Sequence, residues 1–306
     1  MNCDNAGKNS LIRWSRLLLT ELRPRQWTKN LLVFGALLFS FPIATPAMFL
    51  RAFIGFVLFC LISGCVYIFN DFSDREADRR HPEKQHRPMA SGALNPYLGL
   101  AFGCILLLGA IFTAFWVDID FGILLAAYFV MNMAYTFHLK HVVILDVMII
   151  AAGFVFRAIG GALVVDLPFT PWFLMCAMWL ALFLAISKRR HEMRLMSAGN
   201  GLLPAGPESS RRVLAFYTAE LLNQLISVVT TATIISYSLF TFTSGHTLLL
   251  MWTIPLVMYG MFRYLYLVYV EELGGRPEEV LLGDVHISGT VIAFAVAVAV
   301  ILGCLE

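Results

Sequence analysis

Charged side chains are scarce in this chain. Asp, Glu, Lys and Arg make up 14% of its 306 residues, against 59% hydrophobic. Soluble domains carry about 25% charged and about 45–50% apolar residues. At a mean hydropathy of +0.77 the apolar surface exceeds what a soluble globule can bury. A soluble enzyme and a disordered protein are excluded together. Paired cysteines are also lacking. The six stand at 3, 60, 65, 104, 176 and 304, with no CxxC pair and five of them in or beside apolar runs. They read as small buried hydrophobes, implying neither a disulfide framework nor a zinc site. No cleavable signal peptide is expected, because Arg13, Arg16, Glu21, Arg23 and Arg25 interrupt any apolar core at the N-terminus. No Gly-, Pro- or Ser-rich linker divides the chain and no internal repeat is convincing. The expectation is one transmembrane catalytic domain, 31–306, after a cytoplasmic or interfacial segment, 1–30. The 195–210 stretch reads as a loop.

What the chain does have is apolar runs approaching ~20 residues, the length of membrane-crossing helices and not the ~10 of barrel strands. The fold class expected is an all-α polytopic membrane protein with about nine transmembrane helices. These fall at roughly 31–49, 52–70, 96–117, 120–138, 142–165, 169–187, 213–243, 247–270 and 285–304. Pro42 and Pro46 interrupt the first span, and the seventh is long enough to project from the bilayer. Residues 11–22 suit an amphipathic helix lying at the interface. Basic residues crowd alternate loops: Lys8 to Lys29 before span one, Arg75 to Arg87 after span two, Lys140 after span four, Lys188 to Arg212 after span six and Arg276 after span eight. The opposite loops hold Arg51 and acids such as Asp118, Asp120 and Asp166. The positive-inside rule then puts the N-terminus in the cytoplasm, and nine spans leave the C-terminus outside.

The most informative segment is Asn70-Asp71-Phe72-Ser73-Asp74-Arg75-Glu76-Ala77-Asp78, at the cytoplasmic end of span two. On a helix, Asp71, Asp74 and Asp78 fall at about 100°, 40° and 80° from Asn70, all on one arc. Three carboxylates and an amide on one face repel each other unless a cation sits among them. Hard oxygen ligands suit Mg²⁺, which usually takes one or two carboxylates and completes its shell with water and substrate phosphates. The bland alternative is a solvated helix end whose acids pair with Arg75, Arg79 and Arg80. Downstream, Lys84 and Arg87 are placed to balance phosphate charge, Arg87 bidentately. The alternative for both is the ordinary positive charge of a cytoplasmic loop.

The Asn-Asp-x-x-Asp-x-x-x-Asp pattern after the second span, the nine helices and Arg87-Pro88 near Gly92 resemble the UbiA-type intramembrane prenyltransferases. The chain is more similar still to the phosphoribosyl branch of that superfamily, the decaprenyl-phosphate phosphoribosyltransferases of mycobacterial cell-wall synthesis. The resemblance rests on Arg23-Pro24-Arg25-Gln26-Trp27-Thr28-Lys29-Asn30 and on Tyr67-Ile68-Phe69-Asn70-Asp71. It extends to Tyr135 with Leu139-Lys140-His141, Arg157-Ala158-Ile159-Gly160-Gly161, and Lys188-Arg189 with Glu192. It covers nearly the whole chain and is weakest in the first ~15 residues, around 195–210 and in the last span. Aromatic prenyltransferases of the superfamily carry a second acidic motif, Asp-x-x-x-Asp, after span six. Here Lys188-Arg189-Arg190-His191-Glu192 stands there, which suits a further anion better than a second metal.

The resemblance implies transfer of 5-phosphoribose from 5-phosphoribosyl 1-diphosphate to a polyprenyl phosphate, with release of diphosphate. Asp71, Asp74 and Asp78, with Asn70 helping, would hold Mg²⁺ on the leaving group. Arg25, Lys29, Lys84, Arg87, Lys140, Lys188 and Arg189 are the candidate anion ligands. Tyr135 either contacts the ribose or is an interfacial belt tyrosine. Arg157, deep in an apolar run, either pairs structurally or reaches a substrate phosphate. Its neighbour Asp146 lies about three turns away, too far for easy pairing. The acceptor phosphate is already an anion, so no general base is needed. The expected setting is a bacterial-type inner membrane with the site facing the cytoplasm, no nucleic-acid partner, and room for a homo-oligomer. The rivals are an aromatic prenyltransferase, disfavoured by the missing second acidic motif, and a transporter or scaffold, for which the one-sided acidic cluster has no use.

Overall fold

The computed structural model describes residues 14–40, 43–80, 84–168, 170–197, 212–275 and 277–304. Cys3, Lys8, Arg13, Pro42, the 81–83 stretch, most of the 195–210 loop, Arg211 and Arg276 lie outside the described residues. Every regular element in them is helical. In chain order the α-helices are α1 Gly35–Phe39, α2 Pro46–Arg79, α3 Pro96–Val117, α4 Ile119–Phe137 and α5 Leu145–Val165, then α6 Pro171–Ser197, α7 Ala219–Thr243, α8 Ile254–Tyr269, α9 Pro277–Gly283 and α10 Val285–Cys304.

Eight helical segments among the described residues are long and apolar enough to cross a membrane; the seventh counts α8 together with the 3-10 turn Leu248–Thr253 before it. The expected first span is different in kind. It begins as a 3-10 helix, Pro24–Phe34, and runs on into the five residues of α1, and the next α-helix among the described residues begins at Pro46. This broken element packs inside the bundle, burying Asn30, Val33, Ala36 and Leu37. It runs straight through residue 30, and residues 14–21 lead into it as a helix whose end is buried at Glu21 and Leu22. Leu22 packs with Ile68, Met89 and Leu94, so this end of the amphipathic stretch is pinned to the bundle.

Local signals set the helix ends. Thr45 caps α2 by accepting from the Met48 N–H at 3.3 Å, with Pro46 as the first helical residue. Asn95 caps α3 and Asp118 caps α4 in the same way. Asp118 also ends α3, so one extended residue reverses the chain between two spans. At 34 residues, α2 is about 51 Å long against a hydrocarbon core of about 30 Å. Its last turns, carrying Asn70 to Asp78, therefore project past the apolar layer.

Two cores form on either side of α5. One joins the 3-10 helix, α2, α3 and α4 through Val33, Phe59, Ile62, Phe121 and Leu125. The other joins α6, α7 and α8 through Phe183, Ile186, Leu222, Ile226 and Leu267. Close approach on the first side needs Gly161, where an added Cβ would lie 2.1 Å from the Val33 carbonyl oxygen. Backbone cannot yield as a side chain does. Gly161→Val is expected to cost the upper part of the ~1–3 kcal/mol typical of overpacking, or more. A thermal unfolding midpoint in detergent equal to wild type would count against this contact.

Candidate active site

The projecting end of α2 meets the 3-10 helix, the 84–94 turn and the short 139–141 turn between α4 and α5. Asp71 is 2% exposed. Arg23 Nη2 donates to both its oxygens at 2.6 Å, and Arg87 Nη1 to Oδ1 at 2.9 Å. The same Arg87 nitrogen donates to Asp78 Oδ2 at 2.6 Å, and Lys84 Nζ lies 3.9 Å from Asp78. Asp74 pairs with Lys140 Nζ at 3.2 Å. Asn70 is half-buried just ahead of these acids. The charge expected to sit among the carboxylates is thus supplied by four cations from other elements. It does not come from Arg75 and Arg79, which pair with Glu76.

Two residues here were not singled out as site residues in the sequence. Arg23 adopts a left-handed backbone, φ 50°, unusual for a residue with a side chain. Its guanidinium sits 4.6 Å from the centre of the Tyr67 ring. Burial opposes its charge, but Asp71 more than restores it, and the Arg23 pKa ends raised. Arg23-Pro24 stands in the motif that carried the resemblance, which was the available signal. Glu21 had no signal beyond being an acid in an amphipathic stretch. It is 1% exposed; Oε1 accepts from the Met89 N–H at 3.1 Å, while Oε2 is buried with no donor. Burial, then the neighbouring Asp71, push its carboxyl up to about 7.

Among the described residues no three His, Cys, Asp or Glu gather closely enough to hold a metal ion by themselves. The expected set of Asn70, Asp71, Asp74 and Asp78 is therefore not a closed cage. Its donors are hard oxygens, and the undonated Glu21 oxygen lies beside them. That chemistry fits a Mg²⁺ whose shell is completed by substrate phosphate.

The basic candidates divide. Lys84, Arg87 and Lys140 stand in the acidic cluster. Arg25 is exposed, and Lys29 and Lys188 are half-buried. Arg189 is turned inward, 1% exposed. It donates to Asp146 Oδ2 at 2.7 Å and to Glu192 at 2.9 Å. The structure places Arg189 away from the acidic cluster, with its charge answered inside the protein. Asp146 also accepts from the Tyr217 hydroxyl at 2.7 Å, and that hydroxyl accepts from the Ile144 N–H at 2.9 Å. Ile144 needs the restraint, because its φ of 70° is a genuine outlier for a β-branched residue. Tyr135 is half-buried.

Arg157 is buried and its partners are neutral. Nε donates to Asn30 Oδ1 at 2.6 Å, Nη1 to the Gly153 carbonyl at 2.6 Å and Nη2 to the Tyr128 hydroxyl at 2.7 Å. Asp146 is taken by Arg189, so the doubtful Asp146–Arg157 pair is absent. Arg157 ties α5 to α4 and the 3-10 helix beneath the acidic cluster, and all three of its nitrogens are engaged. Of the two roles expected for Arg157, these contacts are those of the structural one.

The profile of the UbiA prenyltransferase family matches residues 31–278. The chain belongs to the UbiA prenyltransferase family. Within that family it is 31% identical over 283 residues to the decaprenyl-phosphate phosphoribosyltransferase of Mycolicibacterium smegmatis, covering 87% of this chain and 86% of that one. It is 28% identical over 272 residues to the enzyme of the same name from Mycobacterium tuberculosis, covering 87% and 88%. A UbiA homolog from Archaeoglobus fulgidus, solved with GPP and Mg²⁺ bound, superposes with a TM-score of 0.69. The two share 19% identity over 92% of this chain and 99% of the homolog. That superposition establishes a UbiA fold for this multi-pass membrane protein.

Proposed function

We propose that this protein transfers 5-phosphoribose from 5-phosphoribosyl 1-diphosphate to a decaprenyl-like polyprenyl phosphate, releasing diphosphate. The observation that carries it is the set of cations around the acidic helix. Arg23, Lys84, Arg87 and Lys140 surround Asp71, Asp74 and Asp78, and the basic run Lys188-Arg189-Arg190 stands in the sequence where a second acidic motif would serve a prenyl diphosphate. The reaction brings together a diphosphate, a sugar phosphate and a lipid phosphate, so it needs more positive charge than a prenyl diphosphate and a neutral aromatic acceptor would. The names of the curated relatives support the same substrates.

Mg²⁺, when bound by Asp71, Asp74 and Asp78 with Asn70, would neutralise the diphosphate leaving group. Arg23 and Arg87 hold Asp71 and Asp78 in place. Lys140 and Lys188, on the α5 and α6 side, would bring the lipid phosphate to the ribose C1, offsetting the repulsion between two anions. The bond from C1 to the diphosphate oxygen breaks and a bond to the lipid phosphate oxygen forms, with no proton to move. Catalysis is then electrostatics and positioning. The positive-inside pattern supports a rim on the cytoplasmic side of a bacterial inner membrane.

The test is an assay with labelled 5-phosphoribosyl diphosphate, decaprenyl phosphate and Mg²⁺, with and without EDTA, following label into organic solvent. EDTA-sensitive lipid label is expected. No lipid label from folded protein that instead prenylates an aromatic acceptor would overturn the proposal.

A further inference from the structure

The turn that carries Arg87 is tied to neighbouring elements through its backbone. Arg79 Nε donates to the Ala90 carbonyl at 3.0 Å. The Met89 N–H donates to Glu21 Oε1 at 3.1 Å, across 68 residues of chain. Met89 is fully buried, packed with Leu22, Ile68 and Leu94. Arg87, two residues earlier, bridges Asp71 and Asp78 with one nitrogen. Just after Glu21 the chain turns a corner. The Trp27 indole N–H donates to the Leu22 carbonyl at 3.1 Å, and the left-handed Arg23 reaches Asp71. Glu21, Leu22 and Arg23 thus hold, in succession, the backbone of the turn, its Met89 side chain and Asp71.

Resting on the phosphoribosyl transfer proposed above, we infer that Glu21 is a positioning residue for the phosphoribosyl donor: by holding the Met89 N–H it sets Arg87 between Asp71 and Asp78, and so fixes the seat of the diphosphate. A carboxyl is a costly group to place there. It is 1% exposed, its Oε2 has no donor, and Asp71 is its neighbour. What it supplies is an acceptor for a buried main-chain N–H, a group that is expensive to leave unpaired. The turn has bonds of its own, from the Arg87 N–H to the Lys84 carbonyl at 3.0 Å and from the Ser91 N–H to the Arg87 carbonyl at 2.8 Å. Those bonds shape the turn without anchoring it. Anchoring falls to Glu21, Arg79 and the Met89 side chain. The Arg79 side chain is 49% exposed, so water competes for its bond, whereas the Glu21 bond is buried. With the Met89 N–H released, the turn is free to shift and Arg87 loses its fixed place between two carboxylates. Lys140, assigned to the lipid phosphate, stands on a different turn and reaches Asp74, so it does not share this anchor.

Substitutions at Glu21 in the full-length protein test this. Glu21→Ala leaves the Met89 N–H without its acceptor. Hydrogen exchange at the Met89 amide, read without substrate, should quicken about tenfold or more. This readout needs no turnover, so it stands or falls apart from the phosphoribosyl reading. In turnover the KM for 5-phosphoribosyl diphosphate should rise about tenfold, with kcat and the KM for decaprenyl phosphate changed by less than about threefold. A general loosening of the fold would move both KM values together. Glu21→Gln keeps an oxygen for the Met89 N–H and puts an N–H where Oε2 has no donor, beside Asp71. It should rescue both the exchange rate and the donor KM to within about threefold of wild type. If Glu21→Ala does not fold, Glu21→Asp, one methylene short of Met89, should show the same split. Unchanged exchange at Met89 in the alanine or aspartate variant, KM values that rise together, or a Glu21→Gln variant as impaired as Glu21→Ala would overturn the assignment. The last result would mean that the carboxylate charge of Glu21 is used directly.

Discussion

Asp71→Asn is expected to lower turnover about 100-fold or more, the usual scale for losing one preorganised electrostatic group. Asp71 is the hinge of the cluster. Arg23 grips it with one nitrogen across both oxygens, and Arg87 bridges it to Asp78. The amide removes one negative charge and one good acceptor together. Arg87 would then lean wholly on Asp78, and Arg23 would lose its carboxylate. Both oxygens that a metal and its diphosphate would need are affected at once. Asp71 is not a solvated rim acid, so the substitution also costs stability, about 1–3 kcal/mol for the donors left without an acceptor. Arg23 and Arg87 are each 26% exposed, and water relieves part of that cost. Initial rates and an unfolding midpoint in the same detergent separate the two effects. A rate within about tenfold of wild type would remove Asp71 from the catalytic set.

Asp146→Ala is expected to unfold much of the protein. Asp146 is fully buried, with Arg189 2% exposed beside it. Breaking a buried pair from one side typically costs about 3–5 kcal/mol, because the remaining charge has no partner. Here the Tyr217 hydroxyl also loses its acceptor, and with it goes the support for the strained Ile144. That strain lies between Lys140 and α5, so the rim would loosen at the lipid-phosphate side. The double variant Asp146→Leu with Arg189→Met should recover most of the stability, since a well-packed apolar pair often replaces an ion pair at no loss. A double variant as unstable as Asp146→Ala would mean that Arg189 holds something besides Asp146 and Glu192.

The amino-acid sequence by itself determined the elements whose information is local. Apolar runs near the bilayer thickness specified the long helices. The spacing of Asn70, Asp71, Asp74 and Asp78 specified a one-sided acidic face, because a helix turns by a constant angle. Lys188 to Glu192, standing where the resembled aromatic prenyltransferases carry a second acidic motif, pointed to anionic substrates through that resemblance. Tertiary structure decided everything that depends on which helices meet. Arg23 and Asp71 are 48 residues apart, Asp146 and Arg189 43, and Asn30 and Arg157 127, and no periodicity encodes such pairings. Lys188 and Arg189 were equivalent basic residues in the sequence. About 100° of helix rotation puts one at the half-buried rim and buries the other against Asp146. The first span, expected to be interrupted by Pro42 and Pro46, is also a 3-10 helix up to Phe34, for a related reason. Residues 24–39 carry polar side chains such as Asn30 that find partners only inside the bundle, at Cys60, Ser63 and Arg157. Their geometry follows from the neighbours they must reach, and no apolar period of their own dictates it.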